Sequence, residues 1–264
     1  MFETLLDDVA QKNTFRHIHP GTKILLGLGS LLICLVSPAP VVPLVSGIIL
    51  TIVLLVPARI SPVVYGELLI APAVFTAFSI VVLLFMLGSG TVIWQFSPAS
   101  WINLTITDGA VRQSTLVLCR VFGCTTSLFF IALTTPMTDL FNLMKRCRIP
   151  LELIDLMMIM YRYIFIIYKQ AHEIWEAQVM RLGYSRKKEG IHSLSMLFGM
   201  LFISSWTAGE DMIHAMDARC YNGIFPSLDQ AEPIRIRSLL PVILYLTFLG
   251  GVLLVTIKGV TMPL

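Results

Sequence analysis

The chain has 264 residues, 56% of them hydrophobic and 13% charged, with a net charge of +3. A soluble globular domain carries about 45–50% apolar and about 25% charged residues. This balance, with uncharged runs as long as Leu68–Thr107, excludes that class and reads as an all-α integral membrane protein. The small net charge says little by itself, its placement says more, and no nucleic-acid partner is implied. The five cysteines (34, 119, 124, 147 and 220) form no CxxC pair, which argues against a disulfide framework or a zinc site.

In chain order, residues 1–23 are polar. Glu3, Asp7 and Asp8 precede any apolar run, unlike a cleaved signal peptide. A basic cluster follows: Lys12, Arg16, His17, His19 and Lys23. Pro20 suits the first position of a helix. Ile24 to Ala58 is free of charge but too long for one span of about 20 residues. Pro38, Pro40 and Pro43 divide it, predicting a hairpin of short helices over 21–37 and 41–57, closed by Arg59. After Glu67, Leu68–Gly88 can span. Residues 89–110, just after Gly88, hold Gly90, Trp94, Pro98 and Trp101, carry no Lys or Arg, and read as a loop at the membrane–water boundary, where tryptophans gather. Thr107 or Asp108 can cap a helix running from about 110 to 134.

Charge then becomes dense. Between Pro136 and Arg237 lie 12 of the 19 Lys and Arg and 11 of the 16 Asp and Glu. The last uncharged run, Ser238–Ile257, is flanked by Arg235, Arg237 and Lys258. Three regions follow: membrane helices over 1–135, cytoplasmic or interfacial helices over 136–236, and a last membrane helix over 237–264. Basic residues favour the cytoplasmic side, which places the N-terminus inside and gives about five spans. The apolar run 191–206 is short for a span and reads as a helix along the inner interface.

The middle region repeats one pattern. Ala177, Arg181 and Gly183 recur as Ala215, Arg219 and Gly223. Ala and Arg four apart share a helix face, and a Gly just beyond can take the left-handed conformation that ends a helix. Each copy therefore predicts a helix that stops beyond its arginine. The first helix starts after Pro150 and runs to about Leu182, with Ile167, Ile174, Ala177, Gln178 and Arg181 on one face. The second begins at a capping box, Thr207-Ala-Gly-Glu210, ends at Asn222-Gly223, and puts Met212, Met216 and Arg219 together, away from Glu210, Asp211, His214 and Asp217. An Arg at a helix C-terminus contributes about 0.3–1 kcal/mol through the helix dipole, which is the plainer account. Two copies beside an apolar, Met-containing face fit a helix docking in a partner's groove.

Several blocks resemble the transmembrane T component of energy-coupling-factor (ECF) transporters, of the cobalt type (CbiQ-like). They are His19-Pro20 with Lys23, Leu133-Thr-Thr-Pro136 with Leu140 and Ile149-Pro150, Met160-Tyr-Arg-Tyr163, Ala177 with Arg181 and Gly183, Gly199-Met-Leu-Phe202, and Ala215-Met216-Asp-Ala218-Arg219-Cys-Tyr221-Asn-Gly223. The resemblance implies a non-catalytic subunit that joins two cytoplasmic ATP-binding subunits to a separate membrane subunit that binds the substrate. It implies a prokaryotic cell membrane, no cofactor, and Arg181 and Arg219 as anchors in the two ATPases. Cobalt is the favoured cargo, with nickel or a vitamin as alternatives. That family usually reads Ala-Arg-Gly, whereas Cys220 follows Arg219 here, so the second helix is expected to run on to Gly223.

Other features weigh less. Arg120 lies inside a span, where an ionisable group defaults to a functional reading; pairing with an acid competes with snorkelling to the outer face. Arg162 interrupts an apolar run and is expected to bond to carbonyls or to Asp155. His172-Glu173 opens an HExxH zinc motif, but position 176 is Glu, so the motif fails and no metal site is expected. Asn103-Leu-Thr105 is a chance glycosylation sequon, and no GxxxxGK[ST] phosphate loop occurs. A membrane enzyme would need paired carboxylates or histidines in the spans. A stand-alone channel or secondary carrier would show broken helices at mid-membrane, of which Pro43 and Pro72 offer a faint version.

Overall fold

The computed structural model describes residues 13, 15, 18–58, 60–86, 92–99, 102–146, 149–221 and 236–261. Gly223, Cys147, Arg59, Lys12, Arg16, His17 and Trp101 lie outside the described residues. The described chain forms two compact units, one of residues 1–140 with 232–264 and one of residues 141–231.

The first unit is a helical bundle. Helix α1 spans Pro20–Val36, with Pro20 in its first turn and His19 accepting from the Gly21 N–H at 3.0 Å. Helix α2 spans Val41–Leu55. At about 1.5 Å per residue these helices are about 25 and 22 Å long, short of the roughly 30 Å hydrocarbon core. Helix α3, Pro62–Met86, contains Pro72. Helix α4, Asp108–Thr134, is capped by Thr107, whose hydroxyl accepts from the Ala110 N–H. Helix α8, Ile236–Thr261, closes the unit. Helices α1, α2 and α3 all pack on α4, and α8 packs on α1 and α2.

Between α3 and α4 the expected loop is instead an antiparallel hairpin, β1 Val92–Ala99 and β2 Ile102–Thr107, with Trp94 opposite Ile106 and Phe96 opposite Leu104. The reason is visible in Ile102, Leu104 and Ile106, which alternate with Asn103, Thr105 and Thr107. A two-residue period with β-branched and aromatic residues favours a strand. The loop expectation rests on the Gly, Ser, Pro and Trp content of 89–110 and leaves that alternation out of account.

Small and hydroxyl residues let the helices approach, as in membrane bundles generally. At Gly123 an added Cβ would meet the Pro43 carbonyl oxygen at 2.6 Å, so α2 and α4 touch backbone to backbone. Ser30 bonds Ser127 at 3.0 Å, Ser46 bonds the Tyr245 hydroxyl at 3.0 Å, and Thr51 bonds Tyr65 at 2.9 Å. The core gathers Leu50, Leu54, Tyr65, Phe130 and Leu133.

Among the described residues two cations hold helix ends in this unit. Lys23, only 3% exposed, donates to the Thr134 carbonyl at 3.0 Å, next to Asn13, whose amide donates to the Leu133 carbonyl. Arg120 donates to the Ser37 carbonyl, at the C-terminus of α1, at 2.6 Å. It thus neither snorkels nor pairs with an acid. With no water in the hydrocarbon core, orphaned carbonyls at a helix end need a partner, and a guanidinium from the neighbouring helix supplies one.

The second unit is built on two long helices, α6 Leu151–Met180 and α7 Lys187–Ala218. Helix α5, Met137–Arg146, precedes them. Phe141 meets Tyr161 edge-on at 6.0 Å, and Tyr161 meets Phe165 at 5.2 Å. The expected break at Thr207 is absent, since α7 is continuous. Thr207 turns its hydroxyl onto the Ile203 carbonyl at 3.0 Å, the back-bond open to a hydroxyl inside a helix. Gly209, with open space where its Cβ would stand, costs the helix only about 1 kcal/mol. A capping box works only where the chain enters a helix, and here it was already helical.

Among the described residues four helices have the length and composition to cross a membrane: α3 over Pro62–Phe85, α4, α8 over Leu239–Ile257, and α7. The shorter apolar helices α1 and α2 complete the apolar set. Of these, only α7 was expected to lie along the interface.

Candidate functional site

Helices α6 and α7 are antiparallel. Four side-chain bonds run along them, and partner numbers fall on α6 as they rise towards the end of α7. Gln178 donates to the Ser193 carbonyl at 3.0 Å, Ser204 to Gln170 at 3.0 Å, Tyr163 to the Ala208 carbonyl at 3.3 Å, and Tyr221 to Asp155 at 3.4 Å. The two C-terminal ends therefore lie at opposite ends of the pair. Arg181 stands beside the start of α7 and Arg219 at its finish, on the order of 50 Å apart for 32 helical residues.

Both helices stop in the same way. Arg181 and Arg219 are the C-cap residues. The next residue in each, Leu182 at φ 58° and Cys220 at φ 53°, takes the left-handed conformation. In the first copy the Gly183 N–H bonds the Gln178 carbonyl at 2.9 Å and the Leu182 N–H bonds that of Val179 at 3.0 Å. In the second, the Tyr221 N–H bonds Met216 at 3.1 Å and the Cys220 N–H bonds Asp217 at 3.0 Å. Each is a complete Schellman motif, which satisfies the last carbonyls with backbone donors.

This corrects two expectations. The left-handed residue is not Gly183, and α7 does not run on towards Gly223: Cys220 adopts the reversing conformation despite its side chain, and the helix ends at Ala218. A β-carbon raises the cost of the left-handed region by about 1–2 kcal/mol without forbidding it where hydrogen bonds fix the turn. Gly183 has another reason to be glycine. Its added Cβ would lie 2.6 Å from Ser193 Oγ and 3.0 Å from the Gln178 carbonyl oxygen. That closeness lets the Ser193 hydroxyl donate to the Gly183 carbonyl at 2.8 Å, while Tyr184 donates to Gln178 at 2.8 Å.

Because backbone closes both ends, the two guanidiniums are not needed there. Arg181 and Arg219 are exposed, and neither guanidinium has an ion-pair or hydrogen-bond partner among the described residues. Their surroundings differ. Met180 (86% exposed) and Leu182 (73%) flank Arg181, whereas exposed Asp217, Ala218 and Cys220 adjoin Arg219. Ala177 and Ala215 are exposed, while Ile167, Ile174, Gln178, Met212 and Met216 are half-buried. The face proposed for docking is thus split. Gln178, by its bonds, serves the α6–α7 contact, and the exposed part is the tip itself.

The Tyr221–Asp155 bond ties the end of α7 to the start of α6, with Asp155 4% exposed. Desolvation and the Asp155 carboxylate push the Tyr221 hydroxyl above the usual phenol range, so it remains a donor. Arg162, expected on Asp155, is instead exposed and has no bonding partner among the described residues. His172 pairs with Glu176 at 3.1 Å and stacks on Trp175, all on an exposed face where such pairs contribute little. Among the described residues no three His, Cys, Asp or Glu come together as a metal-holding group. Sequence reasoning missed Leu182, Cys220 and Tyr221. Only the equivalence of the positions following the two arginines carried a signal for the first two.

Known proteins resemble this chain along most of its length. Residues 11–230 match the CbiQ family model, described as a cobalt transport protein. The chain is 36% identical over 251 residues to a putative fused cobalt transport protein CbiMQ of Methanocorpusculum labreanum, covering 95% of this chain but 42% of that longer protein. It is 32% identical to an uncharacterized protein of Methanocaldococcus jannaschii, over 94% of this chain and 92% of the relative. It is 27% identical to the cobalt transport protein CbiQ of Salmonella typhimurium, over 84% of this chain and 99% of that one. With the family model matching most of its length, the chain belongs to the CbiQ cobalt transport protein family.

Proposed function

We propose that this chain is the non-catalytic T subunit of an ATP-driven ECF-type importer for cobalt. It links two cytoplasmic ATP-binding subunits to a membrane subunit that binds the ion. The observation that carries this reading is the pair of matching helix ends, each closed by backbone and each presenting an exposed, unspent arginine, set on the order of 50 Å apart. Two like ends at opposite poles of one rigid pair suit two like partners. Relatives named EcfT and CbiQ support the assignment.

The α6–α7 pair lies along the cytoplasmic interface rather than across the membrane. Its bonds run the length of both helices, so α7 cannot cross without α6. Helix α6 carries exposed Lys169, Glu173 and Glu176, each costly in hydrocarbon. With the basic residues inside, the N-terminus is cytoplasmic, and Cys220 resists thiol labelling in sealed cells until they are lysed. Labelling of intact cells overturns that orientation.

The coupling role is tested by Arg181→Ala, Arg219→Ala and the double variant, read as retention of the ATPase and ATP-driven cobalt uptake. A guanidinium pairs bidentately with carboxylate. Loss of one partner of such a desolvated interface pair costs roughly 2–5 kcal/mol, so assembly or coupling falls while the membrane fold persists. Arg→Lys restores part of it. Wild-type assembly and uptake in both single variants overturn the docking role. Stoichiometric Co²⁺ binding by the isolated chain in calorimetry overturns the assignment of ion binding to another subunit.

A further inference from the structure

One cavity in the helical bundle has no part in coupling. It has a volume of about 330 Å³ and lies among α1, α2, α4 and α8. Phe15, Leu26, Leu50, Val53, Phe130 and Val242 represent its wall, which is apolar for most of its lining. The few polar groups on it are engaged. The Thr22 hydroxyl donates to the His19 carbonyl at 2.6 Å, and the Tyr245 hydroxyl is bonded to Ser46 at 3.0 Å. Among the described residues Lys23 is the only cation that lines it, and one of its ammonium hydrogens goes to Thr134. An ammonium has three donors, so beyond the Thr134 carbonyl, and with the Asp139 carboxylate also acting on it, it keeps capacity for an anion.

A wall of this kind holds water poorly, and an unfilled apolar void destabilises in proportion to its volume. In a bilayer the apolar material at hand is lipid hydrocarbon. At about 30 Å³ for a group of water's size, the cavity takes on the order of ten methylenes. Its position fixes the headgroup's side. Lys23 is in the first turn of α1 and touches the last turn of α4, and Pro57 just follows α2. The cavity mouth is therefore at the end of the bundle marked by Lys23 and Pro57, while Tyr245, bonded to Ser46, lines it deeper in. Basic residues at a membrane face attract anionic lipid.

We propose that this cavity is a binding site for one anionic phospholipid, its hydrocarbon chain between α1, α2 and α8 and its phosphate on the Lys23 ammonium. It is independent of the arginine ends of α6 and α7. The probe is dioleoyl phosphatidylglycerol against dioleoyl phosphatidylcholine, added to the purified full chain in detergent and read by native mass spectrometry. One phosphatidylglycerol is retained per chain, in preference to phosphatidylcholine by about fivefold, the factor for one surface lysine. Val53→Trp and Ile49→Phe fill the cavity, and each removes the retained lipid. Lys23→Gln keeps the chain-filling lipid but cuts the headgroup preference to about twofold or less. Should Lys23→Gln misfold, soluble glycerol phosphate as competitor reads the same headgroup contact in the wild-type chain by displacing the lipid. Absence of a retained lipid, or retention unchanged in both filling variants, overturns the site, the second outcome showing that lipid only coats the outer surface. Equal binding of the two lipids overturns the role of Lys23.

Discussion

Basic side chains stand near helix C-termini in both units, and the two units use them in opposite ways. In the bundle, α1 and α4 end in extended cap residues, Ser37 and Thr135. That leaves the Ser37 and Thr134 carbonyls to Arg120 and Lys23, each reaching in from a neighbouring helix. In the long-helix unit the chain reverses through Leu182 and Cys220 instead, and backbone N–H groups take the last carbonyls. A cation that closes a helix-end carbonyl has a structural task, whatever else its remaining hydrogens bind. A cation beside a helix end that needs nothing is free to act on another molecule. The contrast separates Lys23 and Arg120 from Arg181 and Arg219 by how each helix stops, where composition would group all four together.

The strongest way to break this contrast is at the free arginines. Arg219→Ala is expected to weaken ATPase retention by roughly 2–5 kcal/mol, with helix stability changed by no more than about 0.3–1 kcal/mol, the helix-dipole contribution. Pull-down titration and thermal unfolding in detergent measure the two effects separately. An equal loss in both assays would make Arg219 structural, like Lys23. In the bundle the opposite split is expected. Lys23→Met leaves the Thr134 carbonyl buried and unpartnered, which costs about 1–3 kcal/mol. It lowers the unfolding midpoint and leaves the ATPase affinity of the folded fraction unchanged.

Much of this was legible in the residues. The prolines at 38, 40 and 43 divide α1 from α2 close to the expected bounds, because a proline cannot continue the previous helix's hydrogen bonds. Helix α6 starts after Pro150 and stops at Arg181 as the pattern of Ala177 and Arg181 implies. What failed were local signals that tertiary context overrides. Thr207-Ala-Gly-Glu210 has the composition of a helix start, but α7 is bonded to α6 just before it and within it, through Ser204 and Ala208, and the pairing carries the helix through. Residues 89–110 were rich in turn formers, yet β2 alternates with a period of two. Arg120 could not be assigned because its partner is a backbone carbonyl 83 residues away, and every residue type offers one.

A smaller effect is expected at the tip of α6. Gly183→Ala forces Ser193 Oγ away from 2.6 Å and with it the hydroxyl bond to the Gly183 carbonyl. One such bond is worth about 1 kcal/mol. Amide hydrogen exchange around residues 178–193 should accelerate several-fold, with the Arg219 end unaffected. Acceleration at both ends would mean that the two ends are coupled through the helices and do not act as separate anchors.

The smallest expected effect concerns the reversing residues and tests the comparison at its root. Leu182 and Cys220 hold the left-handed conformation with a β-carbon present, which costs about 1–2 kcal/mol. Glycine relieves that cost but loses more backbone freedom on folding, about 0.5–1 kcal/mol, so each of Leu182→Gly and Cys220→Gly should stabilise its helix end by up to about 1 kcal/mol. Leu182 is 73% exposed, so removing its side chain forfeits little burial. The amides of Gly183 and Tyr221, which donate the longest-range bonds of the two motifs, report the gain as slower hydrogen exchange. If the ends are closed by backbone, each variant slows exchange at its own end and leaves ATPase retention intact. If Leu182→Gly speeds exchange or weakens retention, the exposed leucine beside Arg181 is itself part of the docking tip. The ends of α6 and α7 would then differ in what they present, with Met180 and Leu182 an apolar clamp at one end and Arg219 acting without one at the other.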